Sequence, residues 1–255
     1  MMKLGMLLAL PEAWEPEKNM QKLEKMAEDA AAKGVDLLMT CEGYLDGYCS
    51  AKTGIAEKLT GELRERFESM AQPNDSIYLK RASEICKKHH MGLIFGLMTL
   101  EDGKIYNTAV LFDVNGEEIG RYHKTHLYAH DVNYDPGHNF PVFDTRWGKI
   151  GMLICADRRW PEAARSLRVQ GAEMLLIPTW GFHGPNNTCF MRTRAYENEC
   201  WLAFCHPLLS FICNPKGEVE AGLQSSEEGI LVHDIDPTRC GHDMYDMRRT
   251  DIYVL

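Results

Sequence analysis

The chain has 255 residues, of which 45% are hydrophobic and 25% charged, an ordinary composition for a globular protein long enough to bury a large core. Its net charge of −9 and the lack of a block rich in Lys and Arg argue against a nucleic-acid surface. No apolar run approaches the roughly 18 residues that a membrane span needs, and we interpret the apolar start, 1–10, as a strand rather than a targeting segment. The nine cysteines, without a recognisable signal peptide, indicate reduced thiols in a cytoplasmic protein.

Strand and helix patterns alternate through the first half of the chain. Gly34 is the predicted end of the first helix, and Asp75 is the predicted N-cap of the helix that ends near residue 90. We predict, in order, a strand at 3–10, a helix at 17–33, a strand at 35–40, a polar excursion at 43–74 with a short helix at 59–70, and a helix that ends near 90. Strands follow at 91–100, 105–113 and 118–123, joined by the hairpin turn signals Asp102-Gly103 and Asn115-Gly116.

The second half continues the pattern after a polar loop at 125–147. We predict strands at 150–154, 174–178 and 201–206, helices at 161–170 and 187–199, and strands at 211–213 and 229–235 that flank a turn at 215–217. The tail, 241–255, has no strong pattern before 252–255. Because both βαβ units and hairpins occur and no linker divides the chain, we expect a single α/β domain over residues 1–255 with mixed strand directions.

Cys155 lies at the junction between the predicted buried strand at 150–154 and a predicted helix that begins with Pro161. In open α/β sheets, reacting groups collect at the carboxyl ends of the strands. A helix N-terminus favours negative charge, so this position predicts a lowered pKa for the Cys155 thiol. The backbone N–H of Ala156 is also free to face an oxyanion. We interpret Cys155 as a nucleophile on a sharp turn; the alternative is a buried, inert cysteine.

Two further reactive side chains follow predicted strands in the same way. Glu42 comes after the strand at 35–40, and Lys124 comes directly after the strand at 118–123. A thiolate that attacks, a carboxylate that shuttles the proton and a cation that stabilises the oxyanion form a coherent acyl-transfer set with Cys155. The alternatives are a solvated acid at a strand end and a surface cation in a loop.

Several segments together resemble the nitrilase (carbon–nitrogen hydrolase) superfamily along nearly the whole chain. They are LLMTCE at 37–42, YHKTHL at 122–127, GMLICADRRWPE at 151–162, GAE at 171–173 leading into PTW at 178–180, and RAYEN at 194–198. The resemblance implies Cys155 as nucleophile, Glu42 as general base and then acid, and Lys124 as the cation on the oxyanion side. It also implies a four-layer αββα sandwich with mixed sheets and a homodimer, and nothing in the sequence indicates a cofactor.

The chain departs from the superfamily pattern shortly after Lys124. Many members carry a second Glu there, before a Pro-Gly pair, and this chain has none. Counting forward from Lys124 favours Asp131 as its counterpart, whereas counting back from Pro136 favours His130. A shorter carboxylate or an imidazole can each orient a substrate amide, so both residues are candidates.

Arg158 and Arg159 follow the nucleophile near a predicted helix start, where the helix dipole disfavours cations. The functional interpretation is a fork that binds a substrate carboxylate, and the alternative is an internal ion pair with Asp157, Glu162 or another acid. The segment resembles that of N-carbamoyl-D-amino acid amidohydrolases, in which the family's Arg pair holds the carboxylate. Trp180 follows a predicted strand and is a candidate for the wall of the substrate pocket.

The sequence therefore predicts a hydrolase that cleaves the C–N bond of a small amide or N-carbamoyl compound through a thioester and releases ammonia. The alternatives are a nitrilase that acts on a nitrile and a catalytically silent binding protein on the same fold. Histidines at 123, 126, 130 and 138 have a loose metal-like spacing, but the Lys-x-His pattern of the resemblance needs no metal, and we expect none.

Overall fold

Two six-stranded sheets lie face to face in the computed structural model, which describes residues 1–253. The strands are β1 (Met2–Leu8), β2 (Leu37–Met39), β3 (Gly92–Glu101), β4 (Lys104–Phe112), β5 (Glu118–His123), β6 (Val142–Thr145), β7 (Gly148–Met152), β8 (Met174–Pro178), β9 (Trp201–Cys205), β10 (Leu209–Cys213), β11 (Val219–Gln224) and β12 (Gly229–Ile235). The helices are α1 (Pro16–Ala32), α2 (Cys49–Lys52), α3 (Gly61–Ser69), α4 (Ile77–His89), α5 (Pro161–Val169), α6 (Pro185–Asn198) and α7 (Asp243–Asp246).

Both sheets share one pairing pattern. The first has the order β12-β1-β2-β3-β4-β5, in which β1, β2 and β3 are parallel and the remaining pairs are antiparallel. The second has the order β11-β10-β9-β8-β7-β6, in which β7, β8 and β9 are parallel and the remaining pairs are antiparallel. Each sheet therefore has a parallel centre, and residues that follow parallel strands leave the sheet at a common edge.

Successive side chains along a strand point to opposite faces, and this divides the apolar residues between two kinds of layer. In β1, Leu4 and Met6 pack between the two sheets, whereas Leu7 packs on the helix side. In β8, Leu176 lies between the sheets and Leu175 on the helix side. The layer between the sheets is a continuous apolar core to which both contribute.

Amphipathic helices cover the outer face of each sheet. Met20, Leu23 and Ala27 form the buried face of α1, which packs with α4 against the first sheet. Leu167 of α5 and Met191 of α6 pack in the same way against the second sheet. The expected four-layer αββα sandwich with mixed sheets is thereby confirmed.

Local details differ from the sequence-based expectations. The N-cap of α4 is Ser76, whose hydroxyl accepts the N–H of Tyr78, and not the preceding Asp75. The expected loop at 125–147 contains the edge strand β6 and a 3₁₀ helix (Ala129–Asn133), which carry no apolar alternation long enough to reveal them. The strand at 229–235 has the predicted bounds, but it pairs with β1, and β11 takes the place beside β10.

Within residues 1–253, no helix is both long and apolar enough to cross a membrane. All nine cysteines are free thiols. The apolar pattern predicted at 252–255 falls partly on residues 254 and 255, which lie outside the described residues.

Candidate active site

Glu42, Lys124 and Cys155 come together where the two sheets meet. Glu42 follows β2 and Lys124 follows β5 in the first sheet, whereas Cys155 follows β7 in the second. Glu42 and Lys124 are each 1% exposed, and Lys124 Nζ lies 2.7 Å from Glu42 Oε1. The solvated acid and the surface cation considered from the sequence are therefore wrong, because both groups are buried and paired.

Cys155 occupies a strained turn at the end of the second sheet's central strands. Its φ is +44°, in the left-handed region that a residue with a side chain rarely adopts, and it begins a 3₁₀ helix (Cys155–Arg159). The turn places the residue on the wall of a cavity of about 230 Å³. Ala156 lines the same cavity, and its N–H belongs to the first turn of the 3₁₀ helix, where amides have no acceptor within the helix.

The predicted lowering of the Cys155 pKa is wrong. Burial raises the pKa of the Cys155 thiol, and the charge of Glu42 raises it further. Lys124, Arg158 and the backbone N–H of Gly181 oppose this shift without overcoming it. The helix that was expected to stabilise the thiolate, α5, begins at Pro161 as predicted, but the 3₁₀ helix at Cys155–Arg159 separates its N-terminus from the thiol in the chain. The raised pKa favours the protonated thiol at neutral pH.

Lys124 is held between two carboxylates. Its Nζ lies 2.7 Å from both Glu42 Oε1 and Asp131 Oδ2. Burial by itself lowers the pKa of Lys124, but these carboxylates raise it above its ordinary value, so the ammonium stays charged. Tyr48 donates its hydroxyl to Asp131 Oδ1 at 2.6 Å, and His130 packs edge-on against the Tyr48 ring, 5.3 Å away between centroids. Of the two candidates for the missing second Glu, Asp131 contacts Lys124 and His130 does not.

Both oxygens of Glu42 have fixed partners besides Lys124. Oε1 also accepts the side-chain amide of Asn107 at 2.9 Å, and Oε2 accepts the backbone N–H of Trp180 at 2.9 Å. These contacts fix the orientation of the carboxylate. Sequence reasoning missed Asn107 and Tyr48; the one available signal was a lone Asn inside the apolar strand β4.

Asp157 connects the loop of Lys124 to the turn of Cys155. Its carboxylate is fully buried and accepts the hydroxyl of Thr125 at 2.9 Å, the backbone N–H of His126 at 2.8 Å and the backbone N–H of Ile154 at 3.0 Å. Because one rigid carboxylate holds both segments, the separation between the ammonium and the thiol is fixed.

The two arginines that follow Cys155 have different surroundings. Arg158 is 2% exposed, donates Nε to Asn187 Oδ1 at 2.8 Å, and donates its two terminal nitrogens to the backbone carbonyls of Cys155 and Phe182. One of these nitrogens, Nη1, also donates to Cys155 Sγ at 3.3 Å. Arg159 is exposed, and its guanidinium lies 5.1 Å from the centroid of the Tyr128 ring. Within the described residues, neither arginine forms an ion pair, so the pairing with Asp157 or Glu162 considered from the sequence is absent.

The cavity is small and aromatic on several sides. Its lining residues are Tyr48, Lys124, Tyr128, His130, Asp131, Cys155, Ala156, Arg158, Arg159, Trp180, Gly181 and Phe182. Trp180, predicted as a candidate wall residue, is thus part of the lining.

Two of the histidines with metal-like spacing have separate partners. His123 contacts Thr108 and Glu101, and His126 contacts Asp157 and stacks on Trp160. Across residues 1–253, no three His, Cys, Asp or Glu side chains converge as metal ligands.

The buried carboxyl group of Asp46, in the same polar segment as Tyr48, should make the stability of the protein depend on pH. Burial raises its pKa to about 7, against the stabilising N–H of Cys49. Between about pH 4 and pH 7 the folded state therefore holds a proton that the unfolded state has lost, so the free energy of unfolding falls as the pH rises, by up to about 4 kcal/mol. We expect Asp46→Asn to remove this fall. Denaturant unfolding at pH 5 and pH 8 measures it, with the exposed Asp29→Asn as control; an unchanged pH dependence in Asp46→Asn contradicts the assignment.

Comparison with known proteins identifies the relationship. The carbon-nitrogen hydrolase family matches residues 6–245. The omega-amidase of Xenopus tropicalis is 30% identical over 246 residues, covering 86% of this chain and 83% of that protein, and the N-carbamoylputrescine amidase of Arabidopsis thaliana is 27% identical over 278 residues, covering 92% and 88%. The amidase of Nesterenkonia sp. AN1, in a structure with acrylamide added to its active-site cysteine, shares the fold with a TM-score of 0.80, 23% identity and 98% coverage of both chains. The chain therefore belongs to the carbon–nitrogen hydrolase family, as an amidase-type member of the nitrilase superfamily.

Proposed function

We propose that this protein hydrolyses the C–N bond of a small amide through a thioester on Cys155 and releases ammonia. The observation that carries the proposal is the buried contact of Glu42 and Lys124 beside a thiol held on a strained turn in the cavity wall. A protonated nucleophile, a carboxylate that can accept its proton and a permanently charged cation are the groups that acyl transfer requires.

In the first half of the reaction, the Cys155 thiol gives its proton to Glu42 while the sulfur attacks the amide carbonyl carbon. The carbonyl oxygen becomes an oxyanion, which the Lys124 ammonium and the Ala156 N–H stabilise. Glu42 then gives the proton to the amide nitrogen, the C–N bond breaks, and ammonia leaves a thioester on Cys155.

In the second half, Glu42 takes a proton from water, and the resulting hydroxide attacks the thioester carbonyl. The tetrahedral intermediate collapses with cleavage of the C–S bond, and Glu42 returns the proton to the sulfur. The products are a carboxylic acid and the free enzyme. Asp131 and Tyr48 hold Lys124 through both halves, since their contacts fix the ammonium.

The cavity favours a short substrate with an anionic end. Arg159 is exposed and contacts only the Tyr128 ring through its guanidinium, whereas the buried Arg158 already donates to Asn187, to two backbone carbonyls and to the Cys155 sulfur, so Arg159 is the arginine better placed for such a group. An amide that carries a distant carboxylate and an N-carbamoyl amino acid both satisfy this requirement. The names of the omega-amidase and carbamoylputrescine amidase relatives are consistent with small substrates of these kinds.

Substituting Arg159 tests the carboxylate contact. We expect Arg159→Ala to lose roughly ten- to a hundredfold in kcat/KM for a carboxylate-bearing amide, because one charge-assisted contact is removed, and to lose little for its methyl ester. Arg158→Ala is the matched comparison: it removes the donors to the Cys155 sulfur and to the carbonyls of Cys155 and Phe182, so we expect equal losses in kcat/KM for both substrates. Equal losses for both substrates in Arg159→Ala would assign it a structural role.

Ammonia release from a panel of amides, nitriles and N-carbamoyl amino acids tests the proposed reaction. Release from amides supports the proposal, whereas release from nitriles alone identifies a nitrilase. No release from any member, with the protein folded and Cys155 reduced, leaves a binding protein on the same fold.

The homodimer, the single domain and the cytoplasmic location stay predictions from the sequence.

A further inference from the structure

His206 lies outside the active-site cavity, directly after β9, yet contacts its wall. The residue is 3% exposed, and its Nε2 lies 2.7 Å from the carbonyl oxygen of Trp180. Its Nδ1 accepts the backbone N–H of Leu208 at 3.1 Å. Because a backbone N–H can only donate, Nδ1 carries no proton, and the neutral ring must donate from Nε2 to Trp180.

The neutral form of His206 is stable over the working range. Burial lowers the pKa of His206 to about 4, and the charges of His183 and Arg158 lower it in the same direction. The hydrogen bond from Nε2 to the Trp180 carbonyl is therefore a permanent contact at neutral pH.

The carbonyl that His206 holds belongs to a peptide that faces the nucleophile. The Trp180 carbonyl and the Gly181 N–H lie in one planar unit, so a donor that fixes the oxygen also fixes the N–H. Gly181 lies against the nucleophile, since a Cβ built on Gly181 would lie 3.3 Å from Cys155 Sγ, and its N–H lowers the pKa of that thiol. On the other side of the same residue, the Trp180 N–H donates to Glu42 Oε2 at 2.9 Å.

The segment 180–182 is thus held from three sides. Glu42 accepts its first N–H, His206 donates to its first carbonyl, and Arg158 donates to the carbonyl of Phe182. Arg158 lines the cavity, and Glu42 takes part in the proposed proton transfers, whereas His206 does neither. A donor at the carbonyl also polarises the peptide and strengthens its N–H as a donor.

We infer that His206 is a positioning residue, which holds the Trp180–Gly181 peptide so that the Gly181 N–H points at the Cys155 sulfur. The inference rests on the proposed role of Cys155 as nucleophile. It predicts an effect on the ionisation and reactivity of the thiol, not on substrate affinity.

The test compares two substitutions. His206→Phe keeps a ring of similar size and loses the donor, whereas His206→Gln places an amide N–H near the position of Nε2. We expect His206→Phe to lose about tenfold or more in kcat with little change in KM, because a misplaced donor weakens charge stabilisation in the transition state. We expect His206→Gln to recover most of the loss.

The second readout is the pH dependence of Cys155 alkylation by iodoacetamide, followed by peptide mass spectrometry. His206→Phe should raise the apparent pKa of Cys155, and His206→Gln should restore it. The charged groups that face the thiol, Glu42, Lys124 and Arg158, are the same in both variants. This readout needs no amide turnover, so it tests the inference even if the proposed reaction fails. A folded His206→Phe with wild-type kcat and a wild-type alkylation profile overturns the inference, as does an equal loss in His206→Gln.

Discussion

Replacing Cys155 by alanine should abolish turnover while leaving the protein folded. The thiol is the nucleophile of the proposed reaction, and neither Glu42 nor Lys124 can replace it in forming a thioester; we expect a loss of at least on the order of ten-thousandfold in kcat. The side chain is small, so its truncation removes a single sulfur from the wall of an existing cavity. Ammonia release measures the loss, and thermal unfolding compares the stability of the two proteins.

Trapping of the acyl-enzyme would show directly that Cys155 forms the thioester. A slow amide substrate should add its acyl group to Cys155, and peptide mass spectrometry should find it on no other cysteine. Cys189 is the matched control, because it is the exposed cysteine on α6 and the first to react without specificity. Cys189→Ala should keep both adduct and activity. Retained turnover in Cys155→Ala, free of contaminating enzyme, would remove the thiol from the mechanism.

The elements that sequence patterns predict best are those whose identity is decided locally. The strand at 174–178 has the predicted bounds, since its five residues are all apolar and buried on both faces. The strand at 229–235 also has the predicted bounds, but its partner does not follow from them. It pairs with β1 at the other end of the chain, and such pairing depends on how whole layers stack. Local patterns indicate a strand without indicating its neighbour.

In the site, too, local patterns indicate some features, whereas others depend on how the sheets stack. That Glu42, Lys124 and Cys155 each follow a strand was visible in the sequence, and the common edge of the stacked sheets brings them together. The direction of the thiol pKa was not predictable, because it depends on the depth of burial and on the charge of Glu42 from the other sheet. The contact of Tyr48 with Asp131 joins residues far apart in the chain and carries no local signal.

Glu42→Gln should lower kcat by at least on the order of a hundredfold, because it removes the group that takes the Cys155 proton. The substitution removes a charge and also disturbs the hydrogen bonds that both carboxylate oxygens accept. Oε1 accepts from Lys124 and Asn107, and Oε2 accepts from the Trp180 N–H, so each oxygen faces a donor. A glutamine has one oxygen and one NH₂ group, and in either orientation a donor then faces a donor.

The rate of Cys155 alkylation distinguishes the loss of a base from general damage to the site, because the Glu42 charge changes the pKa of the thiol. Because the charge of Glu42 raises the pKa of Cys155, Glu42→Gln should lower that pKa and increase the thiolate fraction at neutral pH. Alkylation of Cys155 by iodoacetamide should therefore become faster while amide turnover becomes slower. Damage to the site predicts that both rates fall together, and Cys155→Ala sets the background for each assay. A near-wild-type kcat would exclude Glu42 as the base, whereas a nucleophile that is more reactive and yet cannot turn over its substrate would show that the missing step is the transfer of a proton.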